Sequence, residues 1–245
     1  MGIFDGRVVL VTGARRGLGR DYAKYFAADG ANVVLADVAD PTPAVEAARA
    51  MGPRCIGALA DVTDRGSCDA LVTTVREEFG RLDILINNAG LWRGLAEAGL
   101  LGISEDAWNA AWAVNVTGSV NMYRAAVPLM AENGFGRVIN ISSMASKHGG
   151  DAYGLTKHTV EHMTTGMAQE VGRMGITVNC IAPGITAFEG ARTQLSAADD
   201  IVARNAIARM GTSRDLYDGI RYLCDEAASW VTGQNLRIDG GPQGW

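Results

Sequence analysis

Apolar residues occur along this chain in short unbroken runs, separated by longer stretches with helical periodicity. RVVLVT (7–12), NVVLAD (32–37), RCIGAL (54–59), LDILIN (82–87), RVINIS (137–142), ITVNCIA (176–182) and NLRID (235–239) have the length and composition of strands. Most lack the in–out alternation of a half-exposed strand. Nearly continuous apolar character is what a strand buried on both faces needs, as in a parallel sheet covered by helices. The segments between them, 17–29, 42–51, 65–79, 104–132, 152–173 and 213–225, read as helices. Ser104 is placed to cap the fourth, with Glu105 and Asp106 at its positive end; Ser213 is placed to cap the last, with Asp215 in its first turn. Strand–helix alternation implies right-handed crossovers, and so a doubly wound α/β sheet in three αβα layers. No repeat, low-complexity tract or linker breaks residues 1–245, which read as one domain. The stretch 185–212 stands apart. It follows a strand, has mixed polarity and carries Gly190 and Gly211, the pattern of an active-site lid.

Composition narrows the function classes. Hydrophobic residues make up 48% of the chain and charged residues 20%, ordinary for a globular enzyme. A formal net charge of −5 argues against a nucleic-acid partner. No apolar run reaches the roughly 18–20 residues of a membrane span. The N-terminus MGIFDGRVVLVTGARRG has no basic region ahead of its apolar run, which argues against a signal peptide, and Gly6 stands where myristoylation needs Ser or Thr. Cys55, Cys68, Cys180 and Cys224 are scattered, with no C-x-x-C, so neither a disulfide frame nor a thiolate zinc site is expected. Reduced thiols in a cytoplasmic protein fit best.

The first strand runs into Thr12-Gly13-Ala14-Arg15-Arg16-Gly17-Leu18-Gly19, and a helix follows. Glycines let the backbone turn tightly and approach a pyrophosphate, while the helix N-terminus offers free N–H groups to the anion. The spacing is G-x-x-x-G-x-G, but its place between a strand and a helix in a βαβ unit is the context a dinucleotide site requires. Asp37 ends the second strand, where it can accept hydrogen bonds from a ribose 2′-hydroxyl and repel a 2′-phosphate. Arg15 and Arg16 pull the other way, since a guanidinium can pair with that phosphate. An Arg in the first helical turn can swing into solvent, whereas an acid against the phosphate must be neutralised. NAD is therefore the expected cofactor and NADP the alternative.

These residues form part of a longer pattern. T-G-x-x-x-G-x-G is followed by Asp61-Val62 after the third strand, Asn87-Asn88-Ala89-Gly90 after the fourth, then Tyr153-G-L-T-Lys157, Asn179-C-I-A-Pro183-Gly184 and a C-terminal Val231-T-G-Q…Asp239-G-G. In this order, from about residue 5 to 241, the chain resembles the short-chain dehydrogenase/reductase family. The resemblance implies a Rossmann-like sheet of seven parallel strands. It implies that Asp61 and Val62 contact the adenine and that Asn87, Asn88, Ala89 and Gly90 line the cofactor groove, with Pro183, Gly184 and Thr186 also on the cofactor.

Tyr153 and Lys157, at i and i+4 on a helix, share a face. Exchange of a hydride with an alcohol or ketone needs a group that takes or gives the hydroxyl proton. A free phenol at about 10 is a poor base at neutral pH, and lowering it by about 3 units takes roughly 4 kcal/mol. One ammonium at about 4 Å and an effective dielectric of about 20 supplies about that much. The resemblance implies that Tyr153 is the general acid/base, that Ser143 hydrogen-bonds the substrate oxygen, that Lys157 lowers the Tyr153 pKa and binds the nicotinamide ribose, and that Asn115 belongs to a proton relay. An Asn inside a helix is a poor helix former, which also favours a functional reason for it. Ser142, next along the strand, should face the other way. Two departures stand out. Ser143 and Tyr153 are closer in sequence than the family usually has them, so the loop between them must be tight, using Gly149 and Gly150. Phe188 stands where the family usually places Thr, with Thr186 two residues earlier.

The same helix spells His158-Thr-Val-Glu161-His162, an H-x-x-E-H that also occurs in inverted zinc-protease motifs. A zinc site needs a third protein ligand, and none is identifiable, so no metal is expected and these residues should face solvent or a subunit contact. The substrate groove should be lined by Leu91, Trp92, Leu95, Met144, Phe188 and Leu195, with Trp92, Met144 and Phe188 the main substrate contacts. Such a surface suits a hydrophobic or aromatic secondary alcohol or ketone. His148 and Asp151 could recognise a polar group. The family resemblance implies a homotetramer or homodimer built on the 104–132 and 152–173 helices, where Trp112, Met122, Tyr123, Met163 and Met167 suit a subunit contact or the core equally. Trp245, an exposed-looking terminal aromatic, is expected to dock on another subunit or cover a pocket. The leading expectation is an NAD-dependent alcohol dehydrogenase or ketone reductase. The alternatives are an NADPH-dependent carbonyl or 3-oxoacyl-thioester reductase and a non-catalytic dinucleotide sensor, against which Asn115, Ser143, Tyr153 and Lys157 together argue.

Overall fold

A computed structural model describes residues 2–95, 98–147, 150–188 and 198–241. Strands β1 (Val8–Thr12), β2 (Asn32–Asp37), β3 (Cys55–Leu59), β4 (Ile84–Asn87), β5 (Gly136–Ile141) and β6 (Ile176–Pro183) lie on the expected apolar runs. Two short strands, β7 (Thr186–Ala187) and β8 (Gly211–Thr212), pair with each other inside the 185–212 insert, and β9 (Asn235–Ile238) closes the series. The main sheet has seven strands in the order β3-β2-β1-β4-β5-β6-β9, all parallel. From β1 the chain builds outward to β3, then returns to the far side of β1 and builds outward again. The reversal between β1 and β4 opens a crevice at the carboxyl ends of these strands, where ligands bind in such sheets.

Helices α1 (Gly17–Ala28), α2 (Thr42–Arg49) and α9 (Ser213–Cys224) cover one face of the sheet; α3 (Arg65–Phe79), α6 (Gly118–Glu132) and α7 (Ala152–Val171) cover the other. Val9 and Val11 of β1 pack with Phe26, Tyr217 and Ile220, whereas Val8 and Leu10 pack with Leu71, Met122 and Leu129. The period-two alternation of a strand thus feeds two cores, which explains why its sequence reads as continuously apolar. Short α4 (Gly99–Gly102), α5 (Glu105–Trp112) and α8 (Ala198–Ala203) complete the described helices.

Two local differences from expectation stand out. The 104–132 segment is helical throughout, but Ala113–Thr117 widens to a π turn between α5 and α6, centred on Asn115. Ser104 caps α5 by accepting from the Ala107 N–H at 3.2 Å. The last helix is capped by Thr212 rather than Ser213: the Thr212 hydroxyl accepts from the Asp215 N–H at 3.2 Å, while the Asp215 carboxylate accepts from the Thr212 N–H at 2.7 Å. Ser213 is already helical, so the residue before it takes the cap. Met122, Tyr123 and Met167 are buried within the protomer, so core packing accounts for them. All four cysteines are free and buried. No helix among the described residues is long and apolar enough to cross a membrane. Trp245, His148, Gly149, Gly190 and Leu195 lie outside the described residues.

Candidate active site

A cleft of about 610 Å³ opens where the strand order reverses. At its phosphate end, Thr12 and Asn88 clip the glycine-rich turn onto β4. The Thr12 hydroxyl accepts from the Asn88 and Ala89 N–H groups, both at 3.1 Å. In return the Asn88 amide donates to the Thr12 and Gly13 carbonyls at 2.9 and 3.1 Å. This approach leaves no room for side chains. A Cβ on Gly13, which has φ +62°, would sit 2.8 Å from the Ala89 Cα; one on Gly19 would sit 2.5 Å from both the Asn88 Nδ2 and the Gly13 carbonyl oxygen. Arg16, in extended backbone, precedes α1 and places no side chain on the first N–H groups of the helix. They remain available to an anion lodged against Gly17 and Leu18.

The ribose end is set by Asp37. Its carboxylate accepts from the Arg15 N–H at 3.1 Å and the Ala39 N–H at 3.2 Å, with the Arg15 guanidinium 3.9 Å away. Asp37 is thus held by backbone donors, while the Arg15 and Arg16 side chains are exposed. Asp61 and Val62 line the adjacent wall. The Asp61 carboxylate is engaged by Thr63, and the Val62 carbonyl accepts from Asn121 at 2.9 Å. Asn88, Ala89 and Gly90 line the floor, but Asn87 does not. Its amide turns into the core and donates to Asn140 Oδ1 at 2.9 Å.

At the other end β5, the π turn and α7 converge. Ser143, Tyr153 and Lys157 all line the cleft. Despite the tight loop, Ser143 reaches the wall that carries Tyr153, near enough to favour its phenolate, and its hydroxyl accepts from the Ala145 N–H at 3.1 Å. Ser142 points away, into the body of α7, where it bonds the Lys157 carbonyl and Glu161. Asn115 is buried behind the cleft. Its Oδ1 accepts from the Leu91 N–H at 2.7 Å, and its Nδ2 donates to the Leu91 carbonyl and the Thr156 hydroxyl, both at 2.9 Å. The π turn exposes these groups to the loop after Gly90, a use for which such turns recur.

The electrostatics correct the sequence expectation. Lys157 is 4% exposed; its ammonium donates to the Ile141 carbonyl at 2.7 Å and lies 5.7 Å from the centre of the Tyr153 ring. Burial lowers it to about 8. Burial also pushes the Tyr153 phenol up to about 12, against the pull of the Ser143 hydrogen bond and with a further push from the Asp151 carboxylate. The protein's own groups therefore make Tyr153 less acidic than a free tyrosine. The ammonium is engaged by a carbonyl and is itself disfavoured by desolvation, so the simple pairwise Coulomb argument fails.

The comparisons with known proteins agree with this architecture. A family model described as enoyl-(acyl carrier protein) reductase matches residues 13–243. The chain is 37% identical over 98% of both sequences to the Thauera aromatica (2S)-[(R)-hydroxy(phenyl)methyl]succinyl-CoA dehydrogenase subunit BbsD. The chain is a short-chain dehydrogenase/reductase. It is also 32% identical to the Salmonella typhimurium 3-oxoacyl-[acyl-carrier-protein] reductase FabG, over 97% of this chain and 98% of the other. A mutant of a Serratia marcescens short-chain dehydrogenase/reductase superposes with a TM-score of 0.89 at 31% identity, covering 97% of this chain and 98% of that one.

Within this short-chain dehydrogenase/reductase, other expected residues fall as follows. Trp92, Met144, Pro183, Gly184 and Thr186 line the cleft. Thr186 donates to the Gly184 carbonyl at 2.9 Å. Leu95 is buried and does not line it. Phe188, expected among the substrate contacts, also lines the cleft, at its phosphate end: a Cβ on Gly17 would lie 3.4 Å from its ring. Asp151 caps α7 by accepting from the Gly154 N–H at 2.6 Å. His158 and His162 are exposed, as expected, but Glu161 is not: its side chain is only 8% exposed and points back toward the Ser143 turn. No cluster of metal-binding side chains occurs among the described residues. Thr12 was legible only as part of a motif; its role as a clip appears once the β1–β4 crevice is built.

Proposed function

We propose that the protein interconverts a secondary alcohol and a ketone with NAD as the preferred cofactor, the substrate being apolar or aromatic and carried on an acyl thioester. The observation that carries this reading is the convergence of Ser143, Tyr153 and Lys157 on one wall of the cleft whose opposite end is the glycine-rich turn. Gly13, Arg15, Arg16, Gly17, Leu18 and Gly19 would hold the pyrophosphate, Asp37 the adenosine ribose, Asp61 and Val62 the adenine, and Asn88, Ala89, Gly90, Pro183, Gly184 and Thr186 the nicotinamide half. The nicotinamide, when bound, donates or accepts the hydride and in its oxidised form brings a positive charge. Ser143 and Tyr153 hold the substrate oxygen. In reduction Tyr153 gives that oxygen its proton; in oxidation Tyr153 takes the proton back. Lys157 orients the nicotinamide ribose, and Asn115 fixes the loop after Gly90.

The preference for NAD rests on Asp37, since a 2′-phosphate brought against a carboxylate already held by two backbone donors meets like charge. The thioester reading is supported by the names of two relatives, a succinyl-CoA dehydrogenase subunit and an acyl-carrier-protein reductase, and the aromatic reading by the phenyl group in the first and by Trp92 and Met144 in the cleft. A homotetramer or homodimer and a cytoplasmic setting fit the same reading. The test is nicotinamide absorbance with acetoacetyl-CoA, acetophenone and 1-phenylethanol, each with NAD(H) and NADP(H), on the wild type and Tyr153→Phe. Turnover by the wild type and its loss in Tyr153→Phe are expected. Full activity in Tyr153→Phe would require another acid/base, and a clear NADPH preference would overturn the role given to Asp37.

A further inference from the structure

Glu161, the central acid of the H-x-x-E-H motif, has no part in a metal site and none in the chemistry above, yet it gathers more donors than a surface glutamate needs. It lies one helical turn beyond Lys157 on α7. Its carboxylate accepts from the Ser142 hydroxyl at 2.9 Å and from the Ser146 hydroxyl, and pairs with the Lys147 ammonium at 3.1 Å. Burial favours its neutral form, but the donors from Ser146, Lys147, Ser142 and Asn235 outweigh this and hold it below the ordinary glutamate value, so it stays charged. Ser142 and Ser146 meet one carboxylate oxygen and Lys147 the other, so both oxygens are engaged.

The placement of these donors matters. Ser142 immediately precedes Ser143, and Ser146 and Lys147 end the short turn, Met144–Ser146, that immediately follows it. Both flanks of Ser143 are therefore tied to one buried anion on the helix that also carries Tyr153 and Lys157. The geometry points to Glu161 as the positioning residue of the active site: it locks the shortened Ser143 turn onto α7, so that the Ser143 hydroxyl meets the Tyr153 hydroxyl. The two exposed histidines of the motif are incidental to this role. The inference rests on the catalytic reading of Ser143 and Tyr153, and it adds a residue that touches neither substrate nor cofactor.

The test is Glu161→Gln, which keeps the size of the side chain but replaces one acceptor oxygen with a donor and removes the charge facing Lys147. Misplacing a reacting group by about 1 Å costs up to about 100-fold, so turnover with acetoacetyl-CoA or acetophenone is expected to fall about 10- to 100-fold. The dissociation constant for the dinucleotide, read by tryptophan fluorescence, should be unchanged, because the phosphate end is untouched; a merely structural lesion would move both. Hydrogen exchange should quicken in the peptide spanning 143–147 and not in β1 or α1. Ser146→Ala and Lys147→Met, at the outer side of the clamp, guard against a folding defect and should give smaller losses of the same kind. His158→Ala and His162→Ala should match the wild type. Tyr153→Phe is run alongside: turnover surviving there overturns the catalytic reading, whereas an inactive Tyr153→Phe beside a fully active Glu161→Gln overturns only the positioning role. Unchanged exchange across 143–147 in Glu161→Gln overturns the clamp whatever the kinetics, and it decides the matter even if neither carbonyl probe turns over.

Discussion

Lys157→Met keeps the aliphatic stem of the lysine and removes the ammonium, and it separates the cost of that ammonium from its use. Burial lowers Lys157 from its ordinary 10.5 to about 8. A shift of this size means that holding the charged form inside the folded protein costs about 3 kcal/mol relative to the unfolded chain. The hydrogen bond from the ammonium to the Ile141 carbonyl, worth about 1.5–3 kcal/mol, is lost in the variant and offsets much of the relief near neutral pH. The pH dependence escapes this cancellation. Between about 8 and 10.5 the folded wild type has released the lysine proton while the unfolded chain still binds it, so its stability rises with pH across that window. Lys157→Met has no such group and lacks the rise. From near pH 7 to near pH 9.5, the wild type should gain about 2 kcal/mol on the variant. Urea unfolding of both proteins at the two pH values and one fixed protein concentration, followed by tryptophan fluorescence, reads this difference directly. Turnover by the variant should be lost at both. A stability difference that does not change with pH would show that Lys157 is not depressed, and the electrostatic description of the site would fall with it.

Three other outcomes follow from the geometry. Gly19→Ala puts a methyl 2.5 Å from the Asn88 amide and the Gly13 carbonyl; overpacking of about 1–3 kcal/mol should weaken dinucleotide binding about tenfold or more by calorimetry. Asp37→Ser removes the carboxylate that would face a 2′-phosphate, so the ratio of kcat/KM for NAD over NADP should fall at least about tenfold, the cost of one like-charge contact being several kcal/mol. Thr212→Ala breaks the capping box of α9 and should lower stability by about 1 kcal/mol, seen as a lower Tm, with kcat preserved.

The sheet was legible because burial on both faces leaves a direct mark on the sequence. Each main strand sits on an apolar run, and the strand–helix alternation implies the doubly wound parallel sheet. Features set by contacts distant in sequence were not legible. The π turn at Ala113–Thr117 reads as ordinary helix, since what accompanies it is the bonding of Asn115 to Leu91 and Thr156, far along the chain. The inward turn of Glu161 is hidden because its flanking histidines do face solvent and its partners come from other segments. Phe188 lines the cleft from over the start of α1, a placement its neighbours in sequence do not reveal.

The same distinction bears on the acidity of Tyr153. A pairwise sum over Tyr153 and Lys157 omits what folding does to each partner separately. Burial favours the neutral form of both, and so moves a phenol up and an amine down. At neutral pH this leaves Tyr153 as an intact acid, the form needed to hand a proton to a ketone oxygen. The opposite direction requires the phenolate, which the nearby Asp151 carboxylate opposes. The Lys157 ammonium, still largely protonated at neutral pH, favours the phenolate, and on the proposed function an oxidised cofactor would add a second positive charge beside it. On the proposed function, burial favours Tyr153 as a proton donor, and a cation bound beside it would favour its use as a base.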